Sequence, residues 1–255
     1  MNIQKSAQET FNNLHKSVVW VLRNSPNDPK VSSGSGFIIG KTQRGSYLVM
    51  TCEHVIRGPD PEVEPIISVR IPNDDKDTTE YEAVIVKGTK KDAAAAGVIA
   101  FSSKRIDLAI IEVCGVTREC QPLEFCDPKA VEDVRPETNV FILGYVSPPT
   151  RPGTPSYLNL EPAVLPGIVS TPVKNRGAVI QDIAFTSHAK HGVSGSPLIF
   201  GGRVLGANCQ QGIGSNTCYA RSVNTVNSVL KQWLQIADNK MHTTKELIGM
   251  LQSRG

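Results

Sequence analysis

Three segments far apart in the chain carry residue types that together can cleave an acyl bond. They are Thr51-Cys52-Glu53-His54-Val55, Asp107-Leu108-Ala109 and His191-Gly192-Val193-Ser194-Gly195-Ser196-Pro197-Leu198. A serine hydroxyl is a weak nucleophile at its ordinary pKa and needs a base within hydrogen-bond reach. His54 ends the apolar run Tyr47-Leu48-Val49-Met50-Thr51, which places it at a sheet edge rather than in mid-core. A neutral imidazole must also be held in one tautomer, and Asp107, opening the run Asp107-Leu108-Ala109-Ile110-Ile111, can accept its ring N–H and stabilise the imidazolium. The order His, Asp, Ser thus assigns the base to His54, the orienting carboxylate to Asp107 and the nucleophile to Ser194. A developing oxyanion is best held by backbone N–H groups in a tight turn that a Cβ resists, so Gly192 and Ser194 are the expected donors.

Each residue taken alone has a plainer reading: Ser194 as a turn serine, Asp107 as a turn cap, His54 as an edge histidine. The weight lies in the three together with the strands around them. His15, His188, His191 and His242 read as surface or loop residues, although His188 and His191 flank the nucleophile segment and could tune it or touch substrate. Glu53 reads as a solvated rim charge, and Cys52 and Cys209 as small apolar packing near the cleft. Cys114, Cys120 and Cys126 recur at equal intervals of six, which matches no close-paired zinc pattern, so neither metal nor cofactor is expected.

Stepping outward, 255 residues suit one compact unit, built of two similar halves. The net charge of +3 comes from 27 basic and 24 acidic residues that are scattered, so nucleic-acid binding has no support. The first twenty residues hold Lys5, Glu9, His15 and Lys16, and no later run has the length of a membrane helix. A soluble protein of cytoplasm or nucleus is the expectation; a processed organellar form would read the same. The six cysteines are expected as free thiols, with Cys209 and Cys218 the one pair that could bracket a hairpin and bridge.

Short apolar runs bounded by Gly, Pro, Asn or Asp fill most of the chain, at residues 36–39, 47–50, 66–71, 82–86, 108–113, 139–143, 167–170, 179–185, 197–200 and 203–207. This is the pattern of an all-β barrel or sandwich. Loops are expected at 73–77, at 90–97 with its four alanines, and at 146–166, where proline density argues against sheet interiors. A short helix is read at 5–16. From Asn224, taken as N-cap, Val226, Val229, Leu230, Trp233 and Leu234 recur at helical spacing, and residues 243–251 suggest a further short helix.

These segments, with Ser17-Val18-Val19, Gly34-Ser35-Gly36-Phe37-Ile38-Ile39, Leu143-Gly144, Gly167-Ile168-Val169-Ser170 and Val204-Leu205-Gly206, make the chain resemble a trypsin-like serine peptidase of the HtrA/Deg type over about residues 17–235. The resemblance implies two perpendicular six-stranded antiparallel β-barrels, the chymotrypsin fold. The first falls at about 17–128 and the second at about 129–222. A C-terminal helix at about 224–236 completes a protease domain of 1–236, and 237–255 form a tail. It implies a serine endopeptidase acting on protein or peptide substrates. Residues Asn208, Cys209 and Gln210 would lie along the substrate-pairing edge, and His188 and Lys190 along the primary pocket, favouring a small to medium apolar side chain. Three departures stand out. Val193 cannot make the buried ion pair that activates digestive relatives, Ser196 replaces a glycine, and no PDZ domain follows. A resting state with a gated oxyanion hole fits these, as does the alternative of a catalytically silent binding or scaffold protein. Hydrolysis of small esters fits less well, because the α/β-hydrolase order Ser, Asp, His is missing. A monomer is expected, with a trimer the other option.

Overall fold

The computed structural model describes residues 3–25, 28–57, 66–72, 79–85, 87–88, 99–100, 102–103, 106–146, 161–176, 180–188, 191–211, 215–237 and 242–253. The expected loops at 73–77 and 90–97 lie outside these residues. Helix α1 (Ile3–Leu14) leads through a 3₁₀ turn into the first set of strands. These are β1 (Val18–Ser25), β2 (Asp28–Lys41), β3 (Tyr47–Thr51), β4 (Ile66–Ile71), β5 (Thr79–Ile85), and the short β6 (Lys87–Gly88), β7 (Ile99–Ala100) and β8 (Ser102–Ser103), then β9 (Leu108–Val113). One helical turn, α2 (Glu53–Ile56), follows β3. After another, α3 (Ala130–Asp133), come β10 (Asn139–Gly144), β11 (Ala163–Arg176), β12 (Ile180–Ser187), β13 (Pro197–Phe200), β14 (Arg203–Gln211) and β15 (Thr217–Ser222). Helices α4 (Val223–Leu234) and α5 (Thr244–Gln252) end the described chain.

The first sheet runs β3-β2-β1-β4-β5-β9 and closes on itself because β3 also pairs with β9; β8 extends the β9 edge. The second closes as β10-β11-β12-β15-β14-β13. These are two six-stranded antiparallel barrels of the chymotrypsin fold. Among the described residues closure pairs both sides of strands as apolar as Tyr47–Thr51, which is buried along its whole length. Val140, Ile142, Val169, Ile183, Phe185, Leu198 and Leu205 fill the second barrel.

The terminal helices pack back onto the barrels. Helix α1 packs on β11 of the second barrel, with Phe11 and Leu14 against the large cluster that spans both barrels, and Leu247, Ile248 and Leu251 of α5, which packs on α4 and on β2 of the first barrel, join that same cluster. Gly40 of β2 lets α5 approach, since a Cβ there would lie 2.5 Å from Gln252 Nε2. Among the described residues no helix is long and apolar enough to cross a membrane.

Several details differ from the sequence expectation. Ser222, not Asn224, caps α4, its side chain accepting from the Thr225 N–H, so the helix starts two residues earlier than the sequence reading placed it. The proline-rich stretch at 146–166 yields to β11 from Ala163 onward; residues 147–160 lie outside the described set. Pro166 is tolerated because its backbone faces β12 just past the last pair, Gly167↔Ser187, where the ladder needs no N–H; its carbonyl accepts from Ser187 Oγ at 3.0 Å. Glu53 is buried and paired with Arg57 one turn on, not solvated. All six thiols are free. Cys218 opposes Gln211, while Cys209 falls in the register shift after Asn208, so the two do not face each other.

A buried ion pair of the second barrel reaches across to the first. Asp182 of β12 and Arg221 of β15 are directly opposed; Asp182 is fully buried and Arg221 nearly so. The guanidinium bonds the Asp182 carboxylate, and its Nε reaches across to the Ile106 carbonyl of the first barrel at 2.6 Å. Removing one partner of such a pair strands a charge in low dielectric. Arg221→Met is expected to lower unfolding free energy in urea by about 3–5 kcal/mol, and Arg221→Met with Asp182→Leu to recover most of the loss.

Candidate active site

His54 and Asp107 meet through one pair of strands. β3 runs antiparallel to β9 with Thr51 opposite Ala109, so the chain leaving β3 toward His54 lies beside the chain that enters β9 from Asp107. Asp107 has φ +62°, a left-handed conformation that costs most side chains more than it costs Asp. There its Oδ1 accepts the His54 backbone N–H at 3.0 Å, and the His54 ring Nδ1 lies 2.9 Å from Oδ1 and 2.8 Å from Oδ2. An ionised carboxylate only accepts, so Nδ1 carries the proton and Nε2 is left with its lone pair.

The serine comes from a turn between β12 and β13. Gly192 and Gly195 adopt φ +97° and +86°. At Gly195 a Cβ would sit 2.1 Å from the Ser35 carbonyl and 2.5 Å from Thr51 Oγ1, so only glycine fits, and the turn rests on the end of β3 just before His54. Ser35 of β2 holds the turn from below. Its N–H donates to the Ser194 carbonyl (2.7 Å), and its Oγ donates to the Gly192 carbonyl (2.8 Å) and accepts from Tyr145 N–H (2.8 Å). From the other side Gly195 N–H donates to the Asn208 carbonyl (2.7 Å), and Asn208 Nδ2 donates to the Val193 carbonyl (3.0 Å). Among the described residues the N–H groups of Gly192 and Ser194 have no internal partner.

The two sequence departures have a structural account. Val193 is buried in the core of the second barrel, so apolar packing stands where a digestive relative would form an ion pair. Ser196 is fully buried above Gly144, where an added Cβ would fall 1.9 Å from Ser196 Oγ. The bare Gly144 makes room for the side chain that the expected glycine lacks.

Two thiols lie beneath the pair. Cys52 Sγ donates to the Asn208 carbonyl and Cys209 Sγ to the Asp107 carbonyl, both at 3.4 Å. Burial first, then Cys209 and Asp107, push the Cys52 thiol well up, so it stays protonated. Burial alone would pull the Arg221 guanidinium down, but Cys209, Asp182 and Asp107 hold it above its ordinary value. Arg221 is thus a fixed positive charge near the Asp107 carboxylate.

Of the expected substrate residues, His188 is exposed at the end of β12 and Gln210 is exposed on β14. Asn208 and Cys209 turn inward, with Asn208 holding the serine turn. Lys190 lies outside the described residues. Sequence reasoning missed Ser35, Asp182 and Arg221. Ser35 carried a signal, a serine between glycines like Ser194 itself; the charged pair carried none, because its partners are 39 positions apart.

Solved structures similar to this chain include the Rv3671c protease from M. tuberculosis in its active form. It has a TM-score of 0.61 at 20% identity, with 87% of this chain and 82% of that chain covered. The inactive form of that protease matches at TM-score 0.59 and 20% identity, covering 88% of this chain and 91% of that one. Deg5 matches at TM-score 0.61 and 20% identity, covering 89% and 93%. At this identity the likeness is one of fold. No relative is found among curated proteins. The model of the trypsin-like peptidase domain family matches residues 34–206. That span takes in His54, Asp107 and Ser194 and covers most of both barrels, and on it the chain belongs to the trypsin-like peptidase family.

Proposed function

We propose that this protein is a serine endopeptidase that works through an acyl-enzyme. The observation that carries the reading is the saturated His54 Nδ1, gripped by both Asp107 oxygens, which leaves Nε2 as the only basic atom of the ring. In this reading Ser194 Oγ attacks a peptide carbonyl and passes its proton to Nε2. The imidazolium is stabilised by Asp107 and returns the proton to the leaving amine, after which water repeats the steps to release the acyl group. The N–H groups of Gly192 and Ser194, which have no internal partner among the described residues, suit the oxyanion of both tetrahedral intermediates. The substrate is an extended peptide with a small to medium apolar residue on the acyl side, laid beside Gln210.

Among the described residues no hydrogen bond joins Ser194 Oγ to His54. This favours a resting enzyme whose base and nucleophile engage only as substrate seats, a common state of unliganded sites. It also keeps a second reading in view, a trypsin-fold scaffold without turnover.

A fluorophosphonate probe separates the two. The wild type is expected to gain one adduct by intact mass, mapped to Ser194, while Ser194→Ala gains none; a folded wild type that never labels, with or without peptide ligands, points to the scaffold. Asp107→Asn is expected to cut peptide turnover by about four orders of magnitude by fixing the wrong tautomer. Ser35→Ala removes two hydrogen bonds beneath the serine turn without touching the reacting atoms, and the labelling rate should fall about a hundredfold as the turn drifts.

A further inference from the structure

Peptide hydrolysis makes no use of the thiol under the imidazole. Cys52 Sγ, a ring nitrogen of His54 and a carboxylate oxygen of Asp107 all lie within 4.8 Å of one another. From this juxtaposition we propose that the base and its carboxylate double as an inhibitory binding site for a thiophilic divalent cation of the zinc type. Its ligands are Cys52 Sγ, His54 Nδ1 and Asp107.

Three observations carry the proposal. The first is the donor set. Sulfur, imidazole nitrogen and carboxylate oxygen are the three ligand types zinc selects, and magnesium or calcium would reject the sulfur. In a tetrahedral zinc site neighbouring donors stand roughly 3.3–3.8 Å apart, so the present triangle closes on an ion with movements of about an ångström. The His54–Asp107 edge is already 2.8 Å. The second is access. The side chains of His54 and Asp107 are 47% and 19% exposed, so an ion enters from the cleft and Cys52, wholly buried, forms the floor.

The third is charge. Arg221 lies near Asp107 but is itself paired with Asp182, so the Asp107 carboxylate leaves one net negative charge at the site. A divalent ion that displaces the Cys52 thiol proton adds one net positive charge and neutralises the cluster. Proton bookkeeping then explains the inhibition. The Cys52 proton goes to solvent, and the imidazole, coordinated through Nδ1, must shift its single proton from Nδ1 to Nε2. With Nε2 protonated, no lone pair remains to accept the proton of Ser194. Two further groups face the site: Cys209, whose thiol stands beside Cys52, and the Asn208 carbonyl that now holds the Cys52 proton. On metal binding that carbonyl loses the thiol but keeps the Gly195 N–H as donor.

The inhibition rests on the peptidase reading, whereas the binding does not, and the test keeps them apart. The exposed thiol of Cys114 is first removed as Cys114→Ser, so that it cannot hold metal itself. Cadmium is then titrated into the full chain while sulfur-to-metal charge transfer is followed in the ultraviolet. A band that saturates at one ion per chain is expected, kept in Ser194→Ala and lost in both Cys52→Ala and the better space-filling Cys52→Ser. Thermal unfolding checks that each variant is folded. Zinc should slow fluorophosphonate labelling by at least about tenfold with Cys52 present, and leave the Cys52→Ala rate unchanged. Absence of the band with Cys52 present, or an undiminished band in a folded Cys52 variant, overturns the site. A chain that shows the band but never labels even without metal retains the site and loses the peptidase reading.

Discussion

One buried serine holds the site together. Ser35 takes part in four hydrogen bonds: to the carbonyls of Gly192 and Ser194, from the N–H of Tyr145, and from Thr51 Oγ1 to its own carbonyl. It sits in the first barrel, yet two of its partners form the serine turn and a third follows β10 of the second. Each such bond contributes only about 1 kcal/mol net, but an unmet polar group at full burial costs about 1–3 kcal/mol. The turn therefore has one well-satisfied position, and every other tie to it, from Asn208 or through Gly195, is consistent with that position. The geometry of the serine turn is set less by its own residues than by a strand 157 positions earlier.

Electrostatics follow the same cross-barrel logic. Asp107 belongs to the first barrel, but the cation that balances it, Arg221, comes from the second and is itself fixed by Asp182. By holding the Ile106 carbonyl, Arg221 also braces the backbone immediately before the left-handed Asp107. A residue in a sparsely populated conformation persists when its surroundings over-determine it, and here the carboxylate, the preceding carbonyl and the following strand are all engaged. The thiols of Cys52 and Cys209 pack into the remaining space, adding sulfur to a region otherwise made of oxygen and nitrogen.

Much of this was legible in the chain. The barrel strands announce themselves as short apolar runs between turn residues, and Gly192 and Gly195 adopt the positive φ that their place around Ser194 implied. What stayed hidden depends on tertiary neighbours. Glu53 reads as a surface charge until Arg57 folds back onto it, and Pro166 reads as a loop residue until the end of β12 is located. Ser222 was passed over as a cap because the apolar stripe of α4 begins after it. Asp182 and Arg221 are ordinary charged residues in sequence, and only register puts them opposite each other on the face of β12 and β15 that meets the first barrel.

The packing of the terminal helices has a mechanical meaning. With α1 on β11 of the second barrel and α5 on α4 and β2, each terminal helix ties one barrel to the other like a strap. Two barrels joined only by their linker could hinge, carrying the serine away from the histidine. Here any hinge must first peel a helix from its seat and expose Leu247, Ile248 and Leu251 or the contact face of α1. Helices α1 and α5 therefore both oppose an opening that would part the serine from the histidine.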